Sequence, residues 1–350
     1  MSNVPPPDNI CVLRLSAIGD TCHALAVVRN LQDNWSSANI TWIIGKTEAS
    51  LLADIPDIEF IIFDKGGGRG ARAELSAKLG DRRFDVALCM HASMRANLIS
   101  RDIRAPVRLG FDFQRARDFQ WLFTNQRIEK RRDQHVLDGM MAFAQHIGAK
   151  KTNLRWDIPI PEKDRESAAA MITDDERALL ISPCSSQRAR NFRNWSAENY
   201  AKVARYAQDH YGCKVILTGG NSDLEKAYGQ KIAHLAGPNL LNLIGKTNLK
   251  ELLAFIEASD VVICPDSGPA HMATTVGTPV IGLYATSNPD RSGPYFNREL
   301  TVNAYPEAVE RYLGKSTSRV RWGQRVRDPG AMELIRCQEV TDRIDLVFRN

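Results

Sequence analysis

No apolar run in this 350-residue chain approaches the ~18 residues that a membrane span requires. Its first nine residues, Pro-rich and uncharged apart from Asp8, lack the basic and apolar regions of a secretory leader. A cytoplasmic protein is the expectation. The seven cysteines are scattered, odd in number and without any C-x-x-C spacing, which excludes a disulfide framework and a zinc site and leaves reduced core residues. No G-x-G-x-x-G follows the first apolar run and no G-x-S-x-G occurs, so dinucleotide oxidoreductases and α/β-hydrolases both lose support. Two stretches imitate a phosphate loop, Gly45-Lys46-Thr47 and Gly245-Lys246-Thr247. The glycine required five positions earlier is Ile40 in one and Leu240 in the other, so neither is one. No Asp-x-Asp pair stands at a strand end and no His/Cys cluster has ligand spacing. No metal and no cofactor are expected.

What is present is alternation. Apolar runs at Ile10–Leu15, Ile40–Gly45, Glu59–Phe63, Phe84–Met90, Ala178–Ser182, Lys214–Thr218, Val261–Cys264 and Pro279–Leu283 read as strands. Stretches with helical spacing lie between them, among them His23–Leu31, Ser196–Tyr211, Asn248–Ala258 and His271–Val276. Short buried strands separated by helices give parallel sheets with crossover helices. The polar stretch Pro159–Arg165 reads as a linker between two similar α/β halves. Two Rossmann-like domains facing each other across a cleft are expected, over residues 1–161 and 162–350, with the last helix packing back on the first half.

The net charge of +5 is unevenly spread. From Arg69 to Arg132 there are 15 Lys/Arg against 7 Asp/Glu, whereas residues 162–350 hold 24 against 23. A solvated charged surface accounts for such a run, and so does a face for an anionic partner. Nucleic acid is disfavoured, because no helix-turn-helix, zinc or RNP-like pattern accompanies the charge.

The most informative stretch is 265–284, PDSGPAHMATTVGTPVIGLY. In open α/β sheets ligands bind beyond the carboxyl ends of strands, where helix N-termini present unpaired N–H groups. Here the strand ends into Asp266 and Ser267, then Gly268, where backbone can approach a ligand, and Pro269, read as the first helical position. Such a terminus suits a phosphate, with Asp266 accepting from sugar hydroxyls and His271 one turn on. Each residue taken singly also fits an N-cap or a packed histidine. A second strand exit, RLSAIGD at 14–20, puts Asp20 where it caps the next helix or takes a proton from an attacking hydroxyl.

With RLSAIGD at 14–20, SPCSSQ at 182–187, RNW at 193–195, LTGGNSDLE at 217–225, GKTNLKELLAFIEASDVVICPDSGPAHMA at 245–273 and GTPVIGLY at 277–284, the chain resembles the bacterial lipopolysaccharide heptosyltransferases of glycosyltransferase family nine. The resemblance implies a GT-B fold, an ADP-heptose donor in the C-terminal domain and an inner-core lipopolysaccharide acceptor, Kdo-lipid A, at the N-terminal one. It also implies inversion at the anomeric carbon without a metal. Asp20 matches the family's general base. Ser185 and Ser186 fall on its phosphate-binding turn, and Arg193 stands where a lysine usually holds the diphosphate. Glu225 matches the acid on the ribose hydroxyls, Thr247 lies near the adenine-side strand exit, and Asp266, Ser267, Gly268 and His271 match the element that grips heptose and phosphates. The basic stretch then faces Kdo carboxylates, lipid A phosphates and the anionic inner membrane, with Arg69, Arg72, Arg95 and Arg101 as acceptor-binding candidates. A nucleotide-sugar epimerase of related fold and a heptosyltransferase with a protein acceptor remain open.

Overall fold

The structure, a computed structural model, describes residues 6–173, 175–185 and 191–349. The chain divides after Pro159 into two compact units. The first unit holds β1 (Asn9–Leu13), β2 (Asn39–Gly45), β3 (Glu59–Phe63), β4 (Val86–Leu88), β5 (Val107–Gly110) and β6 (Gln126–Arg127), in the sheet order β3-β2-β1-β4-β5-β6. The second holds β7 (Ala178–Ile181), β8 (Lys214–Leu217), β9 (Leu240–Asn242), β10 (Val261–Pro265), β11 (Val280–Tyr284) and β12 (Val302–Asn303), in the order β12-β11-β10-β7-β8-β9. Every pairing is parallel. Counted from its own first strand, each sheet reads 3-2-1-4-5-6, the doubly wound Rossmann order. The expected α/β class with two Rossmann-like halves is what the chain adopts.

The reason lies in the strands. Ile10 to Leu13, Leu179 to Ile181 and Val261 to Cys264 are wholly buried, as strands covered by helices on both faces must be. Four strands have no counterpart in the apolar pattern: β5, β6, β9 and β12 are two to four residues long, and Arg108, Gln126, Arg127, Asn242 and Asn303 interrupt their apolar content. Two further expectations are corrected. The first helix begins at Ile18, five residues before His23, with Ala17 as its cap, so Asp20 is the third helical residue and not the N-cap. The polar stretch read as a linker is already helical from Glu162, in the helix Glu162–Ala169. The last helix, Cys337–Phe348, lays Val340 and Ile344 into the second unit's core.

The order of the strands fixes where a ligand is met. In each sheet the connections reverse direction between the first and fourth strands, β1 beside β4 and β7 beside β10, and the gap beyond their carboxyl ends is where open α/β sheets bind ligands. Buried tryptophans hold the loops there. Trp42 of β2 donates through its indole N–H to the Arg14 carbonyl at 3.1 Å, and Trp195 donates to the Ile335 carbonyl at 3.2 Å.

Gly45 shows why the phosphate-loop imitation is there at all. Its N–H donates to the Leu15 carbonyl at 3.1 Å, and a Cβ at this position would run into that carbonyl oxygen, the Glu48 carboxylate and the Lys65 side chain. Gly45→Ala is therefore expected to cost about 1–3 kcal/mol, lowering the melting temperature by roughly 2–10 °C. A melting curve matching wild type would show that the β2 exit does not press on Leu15.

Candidate functional site

In the second unit the site grows from the exits of β7 and β10. After β7 the chain reaches Ser185, whose N–H donates to Asn194 Oδ1 at 2.9 Å and whose hydroxyl donates to Asn191 Oδ1 at 2.8 Å. Two asparagines thereby tie the strand exit to the segment carrying Arg193. The Arg193 guanidinium donates from Nη1 to the Asp266 carbonyl at 2.7 Å and from Nε to Asn191 Oδ1 at 3.2 Å. It also stands 3.6 Å from Asp266 Oδ2, and only 15% of the side chain is exposed. A fork fixed at two points keeps its charge in place before any ligand arrives.

Asp266 is buried and its Oδ2 accepts from the Ser287 hydroxyl at 2.8 Å. Ser267 follows as the helix N-cap with extended backbone, but its hydroxyl donates backwards to the Pro265 carbonyl at 3.1 Å and does not cap the helix. Gly268 opens the helix Gly268–Val276, so Pro269 takes the second helical position, one later than expected. His271, on the first turn, is buried. A guanidinium and a helix N-terminus without a side-chain cap thus meet at the crossing point of the sheet. Both attract anions.

Two candidates have local work. The Glu225 carboxylate accepts from the Gly220 N–H at 2.7 Å and from the Ser222 hydroxyl at 2.6 Å, closing the start of the helix Asp223–Ala236. Thr247 sits in the loop after β9, two residues before the helix Leu249–Glu257. Ser186 lies outside the described residues.

In the first unit the corresponding gap lies beyond β1 and β4. The Asp20 carboxylate, 38% exposed, pairs with the Arg14 guanidinium, and Arg14 is itself fixed by donating from Nη1 to the Met90 carbonyl at 2.6 Å. His91, just after β4, accepts the Leu15 N–H on Nδ1 at 3.2 Å. Burial first, and then the Arg14 guanidinium, pull its imidazole down from the ordinary histidine value to about 3. The ring is neutral at any working pH and, with Nδ1 accepting, carries its proton on Nε2. A carboxylate, a guanidinium and a neutral imidazole therefore share this edge.

Of the acceptor candidates, Arg72 is engaged in a two-point bond with Asp102, Nε to Oδ2 at 2.8 Å and Nη2 to Oδ1 at 2.9 Å, whereas Arg95 and Arg101 are exposed. The Arg69 side chain lies outside the described residues. No group of three or more His, Cys, Asp or Glu side chains gathers as metal ligands among the described residues.

The family described as glycosyltransferase family 9 (heptosyltransferase) matches residues 72–318. The chain belongs to glycosyltransferase family 9. It is 42% identical over 334 residues to the lipopolysaccharide core heptosyltransferase OpsX of Haemophilus influenzae, covering 95% of each protein. It is 25% identical to lipopolysaccharide heptosyltransferase 2 of Escherichia coli over 84% of this chain and 87% of that one. Among solved structures, the family 9 glycosyl transferase of Veillonella parvula superposes with a TM-score of 0.80 at 22% identity, covering 97% of both chains. The E. coli heptosyltransferase WaaC, solved with ADP, gives 0.74 at 15% identity over 97% of this chain and 99% of its own.

In this family 9 glycosyltransferase the candidate site is tied together by side chains that the sequence patterns leave unmarked. Asn191 and Asn194 flank Arg193 within the stretch NFRN, and the signal was the pair of short amides beside a cation in a strand-exit loop. His91 was signalled by a polar residue directly after the buried run Val86–Met90, on the strand adjacent to β1. Arg14 falls within RLSAIGD, a pattern that assigns it no role, although it is the direct partner of Asp20.

Proposed function

We propose that this heptosyltransferase moves heptose from ADP-heptose to a Kdo or heptose hydroxyl of the lipopolysaccharide inner core, inverting the anomeric carbon and needing no metal. The observation that carries the chemistry is Arg193 held against the start of the helix Gly268–Val276. Breaking the bond between the anomeric carbon and the diphosphate builds negative charge on departing ADP while the sugar gains cationic character. A preorganised guanidinium and the first-turn N–H groups stabilise that charge, which is the task a divalent cation performs elsewhere. The acceptor class is supported by the 42% identity to the Haemophilus protein and the donor by the ADP bound to the E. coli one.

In this reading the second unit binds donor: Ser185, Ser186 and Arg193 at the diphosphate, Asp266, Ser267, Gly268 and His271 at heptose and phosphates, Glu225 at the ribose and Thr247 on the adenine side. The first unit binds acceptor, with Asp20 as general base. A hydroxyl losing its proton to Asp20 attacks on the face opposite the diphosphate, and inversion follows. Arg69, Arg72, Arg95 and Arg101 meet acceptor carboxylates and phosphates at the anionic inner face of the membrane, the protein itself being cytoplasmic and peripheral. No helix of the described residues is long and apolar enough to cross a membrane.

The test is transfer from ADP-heptose to a panel of inner-core acceptors, with and without EDTA. Heptosylated product is expected, at a rate that chelation leaves unchanged. Loss of turnover on chelation, restored by magnesium or manganese, would remove the charge-stabilising role from Arg193 and the helix terminus. Rearranged nucleotide sugar without acceptor would instead identify an epimerase.

A further inference from the structure

The large apolar side chains that stay exposed are not scattered. Among the described residues eleven are exposed, and six of them, Met94, Leu98, Phe113, Phe119, Trp121 and Leu122, fall between positions 94 and 122. Three of these, Phe119, Trp121 and Leu122, lie on one turn, and Met94 and Leu98 lie on the helix fastened beside it. Asp118 accepts the Met94 N–H on Oδ2 at 2.9 Å, and Asn97 Nδ2 donates to the Asp118 carbonyl at 2.7 Å. These two bonds fasten the helix Met94–Ser100 beside the turn carrying Phe119, whose ring meets Trp121 edge-on at 6.3 Å.

The loop is built inside out. Its polar residue Gln120 is 1% exposed, accepting the Phe111 N–H at 3.1 Å and donating to the Cys89 carbonyl at 2.9 Å. Its apolar neighbours Phe119 and Leu122 are 60% and 66% exposed. Asp118 and Phe119 both adopt left-handed backbone, φ 51° and 58°, a conformation that costs a non-glycine residue free energy and persists where surrounding bonds impose it. A turn that merely connected strands would relax and bury its phenyl ring. This one is braced to hold it out.

Charge and position indicate what covers the patch. Arg95 is exposed on the same helix and Arg117 on the same loop, within the segment that carries 15 cations against 7 anions. Aromatic and aliphatic side chains with exposed arginines on the same helix and loop match the boundary of an anionic bilayer, where rings enter between headgroups and cations meet lipid phosphates. The brace on Cys89 also puts the patch on the carboxyl edge of the first sheet, the edge that carries His91, Arg14 and Asp20.

We propose that Phe119, Trp121 and Leu122, together with Met94 and Leu98 of the fastened helix, insert into the headgroup region of an anionic membrane and so present the Asp20 edge to a lipid-anchored acceptor. The proposal rests on the reading of the acceptor as a lipid-linked saccharide, and it is tested without any donor or acceptor. Wild-type protein should co-sediment with phosphatidylethanolamine/phosphatidylglycerol vesicles, less so at high salt. Phe119→Ser/Trp121→Ser/Leu122→Ser should bind on the order of tenfold or more weakly, while its far-UV circular dichroism stays that of the folded wild type, because Phe119 and Leu122 are mostly exposed and Trp121 partly so. Brominated lipid should quench wild-type tryptophan fluorescence, and Trp121→Phe should keep vesicle binding while losing most of that quenching. Failure of wild type to bind vesicles, equal binding by the triple variant, or quenching that persists in Trp121→Phe would each overturn the proposal. A wild-type dimer that the triple variant dissolves, without vesicle binding, would assign the patch to a second copy. Vesicle binding without heptose transfer would leave docking in place and defeat the proposed activity; transfer without vesicle binding would do the reverse.

Discussion

Asp20→Asn is expected to lower turnover by about 10²–10⁴-fold, the contribution of a positioned general base, while ADP-heptose binds nearly as in wild type. The amide keeps the shape of the carboxylate and can still accept from Arg14, but it cannot take a proton from the attacking hydroxyl. The surroundings make the substitution clean. Arg14 is held independently by the Met90 carbonyl, and the Arg14 carbonyl is held by Trp42, so the guanidinium stays in place when its partner loses charge. Donor affinity by calorimetry and single-turnover rates with saturating acceptor separate the two effects. A folded Asp20→Asn protein that turns over at the wild-type rate would exclude Asp20 from proton transfer.

Arg193→Ala should cost about 10²–10³-fold in turnover, the magnitude seen when one preorganised donor is removed from a site of developing negative charge. The loss should be the same for every acceptor, because the leaving diphosphate is common to all of them. Arg193→Lys is the sharper comparison. It retains the charge, but an ammonium is a point donor and cannot reproduce a fork bonded at once to the Asp266 carbonyl and the Asn191 amide. A loss between wild type and Arg193→Ala is expected. If Arg193→Ala impaired transfer to one acceptor and spared another, the residue would belong to acceptor recognition and not to the departing ADP.

The parts of the fold legible in sequence were those where burial on both faces forces an unbroken apolar run. β1, β2, β7, β8, β10 and β11 announce themselves in this way. β5 and β6 do not, since Arg108 and Arg127 stand where an apolar pattern was sought, and a strand of two to four residues is too short to show a period. At the candidate site, residues whose chemistry is rare at a strand exit were readable, Asp20 and Asp266 above all. Residues that act through geometry were not. Asn191 and Asn194 matter because they bond Ser185 and Arg193 across a loop, and no spacing rule records such a tie. His91 becomes meaningful only once β4 is known to lie beside β1, which brings its ring to the Leu15 N–H. Glu225 is legible by its match, but the match does not reveal that each of its oxygens also accepts a bond from its own turn.

The repeated strand order gives the two sheets matching addresses. Asp20 follows the first strand of one sheet as Ser185 follows the first strand of the other, and His91 follows the fourth as Asp266 does. Each address holds a carboxylate beside a guanidinium, Asp20 with Arg14 in the first sheet and Asp266 with Arg193 in the second, but the carboxylate follows the first strand in one and the fourth in the other. Each is secured by tethers drawn from its own half, Met90 and Trp42 in the first, Asn191, Asn194 and Ser287 in the second. Substitutions that loosen the tethers of one address are therefore expected to leave the other's scaffolding intact, so the two can be altered one at a time.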